Sequence, residues 1–212
     1  MKTRTTLALT ALAATLTMLF AVTSASANRL SVDDTAFRVT WASLEFTSSV
    51  GVTTRCPVTL VGDFHSSTIV KTRGLLIGFV DSATVNNAAC VGGRATVLAA
   101  TLPWHVTYEG FTGTLPNITS VSILLVNASF QVQQTILGIA VTCLARTTVA
   151  ENATGTISLS AGVATELRAR GTIDTNDIGA GTTCDNLAVD GTFAGTARVT
   201  DGGGNSVTVR LI

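Results

Sequence analysis

The residues best suited to acid–base or metal chemistry are His65 and His105, the two histidines of the chain, with Asp63 and Glu109 close to them in sequence. Each histidine stands in a stretch where apolar residues alternate. Val58, Leu60 and Phe64 share one face of an extended segment, which sends Asp63 and His65 to the other. By the same spacing Trp104, Val106 and Tyr108 oppose His105, Thr107 and Glu109. Should these two segments pair, the four polar groups converge into a small metal-binding or acid–base site, since zinc takes imidazole and carboxylate ligands. Left apart, they are two histidines on a polar face.

Other chemistry finds little to work with. A serine hydrolase needs its nucleophile on a strained turn, and the chain holds no Gly-x-Ser-x-Gly elbow. Aspartate, asparagine and glycine gather between Asp174 and Asp201, where Asp174, Asn176, Asp177, Asp185, Asn186 and Asp190 suggest calcium. The same residue types serve ordinary turns, and the central glycine and terminal glutamate of an EF-hand are missing. No cofactor is expected.

The four cysteines, Cys56, Cys90, Cys143 and Cys184, are spaced too widely for a structural zinc site and read as disulfides. Four cysteines allow three pairings, of which Cys56–Cys90 with Cys143–Cys184 is the expected one. Oxidised cysteines fit the N-terminus. Lys2 and Arg4 precede an uncharged, mostly apolar run ending in Ala25-Ser26-Ala27, the layout of a cleaved secretory signal over residues 1–27. A secreted chain of residues 28–212 is therefore expected, outside the cytosol or at the cell envelope, with no membrane span of its own. Losing Lys2 and Arg4 lowers the 13 basic residues to 11, against 13 acidic ones. That slightly negative balance, spread without runs, excludes nucleic acid as a partner.

These side chains must be carried by strands. Threonine, valine, isoleucine and glycine dominate, and apolar positions recur at every second residue. Phe37, Val39 and Trp41 alternate, then Leu44 and Phe46 resume one step out of phase, which predicts a bulge. Leu75–Val85 reads as a more fully buried strand. Leu124 to Val132 reads as one long strand, with a turn at Gln133-Gln134-Thr135 before Leu137 to Cys143. Thr196–Thr200 and Ser206–Leu211 read as a hairpin. The sum is an all-β fold, an antiparallel β-sandwich or barrel of roughly ten to twelve strands, stapled by disulfides and forming one domain. A subdivision near residues 131–135 is the alternative.

Three stretches carry a resemblance: Cys56-Pro57-Val58-Thr59-Leu60 continuing to Phe64-His65, Leu102-Pro103-Trp104-His105-Val106, and Phe111 to Asn117. With the leader, the spaced cysteines and an arginine-rich basic content, the chain resembles exported proteins of high-GC actinobacteria. That resemblance implies export and assigns neither an activity nor site residues.

The expected function is that of a non-enzymatic secreted β protein, a module that binds a protein, glycan or envelope component through an exposed apolar patch near Trp104 or Phe111. Two other readings stand beside it. One is a metal-binding protein or metal-assisted hydrolase using His65 and His105. The other is a hydrolase inhibitor presenting the cystine-tied segment 83–94 as a protruding loop.

Overall fold

The computed structural model describes residues 29–114, 117–149, 152–177 and 190–212, so the expected signal and Cys184 lie outside the described residues. The alternating β-branched residues favour an extended chain whose pleat sends successive side chains to opposite faces. Fourteen strands result: β1 (Arg29–Val32), β2 (Ala36–Ser48), β3 (Thr53–Phe64), β4 (Thr68–Val70), β5 (Leu76–Val85), β6 (Gly93–Val97), β7 (Trp104–Thr114), β8 (Asn117–Val126), β9 (Ser129–Ile136), β10 (Ile139–Arg146), β11 (Ala153–Ser160), β12 (Val163–Asp177), β13 (Asp190–Asp201) and β14 (Val209–Leu211). The count exceeds the expected ten to twelve because β1, β4 and β14 are too short to show an alternation.

Eight strands close into an antiparallel ring in the order β2-β3-β5-β7-β8-β11-β12-β13, with β13 returning to β2 and β12 pairing β11. Inward positions are apolar, among them Phe37, Leu60, Val106 and Leu167. Outward positions carry Arg38, Thr40, Asp81, Arg168, Thr192 and Arg198, all exposed. This polarity is the reverse of a barrel that faces lipid. No helix among the described residues is long and apolar enough to cross a membrane.

Four strands run on past this ring into a second one. The lower halves of β2, β3, β12 and β13 join β10, β9 and β6, with β10 pairing β12, β9 pairing β10, and β6 pairing β9. The last seam, β6 to β3, has only the Arg55–Val91 bridge, and there the disulfide Cys56–Cys90 lies. The expected pairing of these two cysteines is present. Cys143 is also disulfide-bonded. Phe130 belongs to the second ring yet packs against both Phe46 and Trp104, with ring centroids 5.3 and 5.2 Å apart. One apolar core therefore runs through both rings, and residues 131–135 lie inside β9.

The far end of the first ring is covered by the sheet β14-β1-β4, which buries Leu30, Val32, Ile69 and Val209. Asp33 fastens this cover: its Oδ1 accepts the amide protons of Thr208 at 2.9 Å and Asp34 at 3.1 Å.

Several sequence expectations are corrected. The phase slip at Trp41–Leu44 is a bulge, as expected, but Leu124 to Val132 is not one strand. Asn127 adopts a φ of 67°, a left-handed conformation that asparagine tolerates, and the turn there passes the chain from the first ring to the second. The next turn falls at Leu137-Gly138, because Gln133 to Ile136 complete β9. Leu75–Val85 is buried only in its first half, since Asp81 and Ser82 face solvent. The C-terminal segment does not fold back on β13; β14 pairs with β1.

These contacts can be tested in two ways. The Cys56–Cys90 link spans 34 residues, a loop whose closure contributes about 3–4 kcal/mol. Replacing both cysteines by alanine should lower the unfolding free energy by about that amount in urea melts, and a loss under about 1 kcal/mol would contradict it. For Asp33, burial pushes the carboxyl up, but the amide donors of Thr208, Asp33 and Asp34 outweigh it and hold it below its usual range. A depressed folded value means that its contribution is present above the unfolded value and is lost as pH falls through the folded one. With the carboxyl mostly exposed, that contribution is a fraction of a kcal/mol. The Thr208 amide resonance should therefore move with a midpoint below about pH 4, and a midpoint above that value counts against the clasp.

Candidate functional site

The largest apolar concavity arises from where small residues fall on the inward face of the first ring. Ile123, Gly155, Ala169 and Gly195 are successive register partners across β8, β11, β12 and β13. The next row holds Leu125, Ala153, Gly171 and Phe193. An eight-stranded ring is just wide enough for side chains to fill it or to hold one small ligand. Two rows of glycine and alanine on one wall shift this ring toward the second outcome. A cavity of about 80 Å³ remains, lined by residues from all eight strands. Its opposite wall is Phe37, Val39, Trp41, Leu60, Val80 and Val106. Ile123, Leu125 and Ala169 face inward yet stay partly exposed, and mark the side on which the cavity meets solvent.

Trp41 reaches into this space because Gly195 has no side chain. A methyl group there would come within 2.8 Å of Trp41 Cδ1 and 3.0 Å of Leu44 Cδ1. Both strands bulge at this level, β2 between Trp41 and Leu44 and β13 between Ala194 and Ala197. The two tryptophans differ in one respect. Trp104 is 0% exposed and donates its Nε1–H to Thr101 Oγ1 at 2.8 Å. Trp41, 4% exposed, has a buried Nε1 with no acceptor, the one such side-chain nitrogen or oxygen among the described residues.

The histidine constellation does not assemble. β5 runs between β3 and β7, and two strand spacings set the backbones of His65 and His105 about 9–10 Å apart. Phe79 occupies the gap, its ring centroid 4.8 Å from His65 and 5.4 Å from His105. Asp63 is the register partner of Phe79 on β5, whereas Glu109 lies further along β7 and forms an ion pair with Arg73. No three histidine, cysteine or acidic residues gather to hold a metal among the described residues. Of the calcium candidates, Asp174, Asn176 and Asp177 lie on β12 and Asp190 on β13, while Asp185 and Asn186 lie outside the described residues.

Other expectations also shift. The segment 83–94 does not protrude: Asn86 donates its amide to Pro57 O, and Val91 exchanges two hydrogen bonds with Arg55. Trp104 is buried in the core, and the Phe111 ring lies under Lys71 Nζ at 5.0 Å. Exposed apolar side chains instead include Val50, Val91 and Ile139 at the end of the second ring, with Leu137 there at 88% exposed. Sequence reasoning missed the cavity. Its one signal was the run of small residues at alternate positions 153, 155, 169 and 171, in strands otherwise filled by larger apolar groups.

No family model matches the chain, and neither the curated proteins nor the solved structures contain a match to it.

One equivalent of zinc should leave the ring resonances of His65 and His105 in place. A stoichiometric shift of both together would show that they share an ion after all.

Proposed function

We propose that the chain is an extracytoplasmic, non-catalytic binding protein whose first ring takes up a small apolar molecule. The observation that carries this reading is the cavity lined from all eight strands. Binding sites for small molecules are concave and mostly apolar, with few polar groups. The lining offers no acid, base or nucleophile placed for catalysis: its one hydroxyl, on Thr154, has no base beside it among the lining residues. The leader-like residues 1–27 and the Cys56–Cys90 disulfide support a setting outside the reducing cytosol. An eight-stranded wall with a polar outer surface lets an apolar guest travel through water without exposing it.

The test uses cyclopentane as a probe. At about 0.8 kcal/mol per buried carbon, five carbons give roughly 4 kcal/mol, a millimolar dissociation constant. Methyl resonances of Ile123 and Leu125 should shift on titration. Ala169→Leu, which fills the space, should abolish the shifts while the protein stays folded. Unchanged methyl signals at saturation would overturn the proposal, and so would undiminished binding to the filled variant.

A further inference from the structure

Resting on the ring interior being a binding site, we infer that its ligand is neutral, mostly hydrocarbon, and carries one hydrogen-bond acceptor that takes the proton of Trp41 Nε1. Two independent observations meet at this point: the cavity that Trp41 lines and the buried indole nitrogen without a partner. The position of the nitrogen is fixed by its neighbour in the ring. Cδ1, bonded to Nε1, lies against Gly195 on the wall of small residues, so the donor sits beside the open space.

The chemistry of the donor narrows the class. Indole nitrogen donates and cannot accept, so a ligand presenting only N–H or O–H protons leaves it unsatisfied. A carboxylate or phosphate is excluded on charge, because no cationic side chain lines the cavity and a buried unpaired anion is costly. An ordered water is a poor substitute, since buried waters need two to four polar partners, and the walls are otherwise hydrocarbon apart from Thr154. A ketone, ether or ester oxygen on a compact hydrocarbon frame meets each condition. Trp104 shows what a satisfied indole looks like in the same core, with Thr101 Oγ1 at 2.8 Å as its acceptor.

A matched pair of probes separates this inference from the reading on which it rests. Cyclopentanone and methylenecyclopentane have nearly the same shape, and only the ketone offers an acceptor. Cyclopentanone should move the Trp41 indole N–H resonance downfield, whereas methylenecyclopentane should shift the cavity methyls and leave that proton where it is. Trp41→Phe should weaken cyclopentanone about tenfold and methylenecyclopentane by less than about twofold, because a buried carbonyl left unpaired loses most of its binding. If both probes bind and the indole proton responds to neither, the acceptor inference is overturned while the site stands. Binding of methylenecyclopentane alone overturns it equally. Should neither probe bind, the site itself is wrong and the inference falls with it. The resonance test needs only the unsubstituted protein, so a poorly folded Trp41→Phe would not shield the inference.

Discussion

Two strands bulge at the same height, and the rest of the molecule depends on how they fit there. β2 and β13 belong to both rings, and each slips register where the first ring gives way to the second. A bulge bends its strand and increases the local twist, which lets a long strand leave one barrel wall and enter another. The fit requires Gly195: with Trp41 Cδ1 and Leu44 Cδ1 already within 3.0 Å of where its methyl would stand, no other residue can occupy the site without moving them. Above this level Trp41 turns into the first ring. Below it Phe46 turns into the second, where it meets Phe130. One glycine thus places the indole that lines the cavity and lets the shared strands change direction.

Closure of the second ring has a different basis. Around most of the circuit, neighbouring strands exchange ladders of several residues, but β6 meets β3 through a single bridge. A seam with so few hydrogen bonds is an exposed strand edge, which proteins cover or tie. Here the tie is covalent, since Cys56 and Cys90 sit next to that bridge with Cα atoms 4.3 Å apart. Inside the ring Gln134 makes a second connection: its side-chain amide donates to Phe46 O at 3.3 Å and Val52 O at 3.4 Å. The polar group is buried because it replaces missing ladder bonds between β9 and the β2–β3 turn.

Strand period and cysteine spacing made much of this legible from the residues alone. The bulge at Trp41–Leu44, the inward set on β3 and β7, and the Cys56–Cys90 link all followed from local pattern. What failed was whatever depended on a partner far along the chain. The alternation through Asn127 looked unbroken because the turn is made by φ, which leaves the apolar period intact. The histidines were placed on the correct face, but the face alone does not say which strand lies alongside, and β5 came between them. The cavity was hidden for the same reason: it is a property of eight walls at once, produced by small residues on β11, β12 and β13 facing large ones on β2 and β3.

The void and the unpaired indole need a common explanation. An unfilled space of about 80 Å³ costs roughly 2 kcal/mol at about 24 cal/mol per Å³. A buried donor without an acceptor costs roughly 1–3 kcal/mol more. Together these approach a large share of the roughly 5–15 kcal/mol that keeps a domain folded. Either defect alone has a simple remedy: a larger residue at Ala169 would fill the space, and phenylalanine at position 41 would remove the donor while keeping a large apolar ring. The sequence adopts neither remedy, and both costs fall on the same few ångströms of one wall. A guest with a hydrocarbon body and one oxygen removes both at once, filling the space and accepting the proton. Buried polar atoms elsewhere among the described residues have partners, so the exception at Trp41 is local to the cavity and not a general looseness of the core.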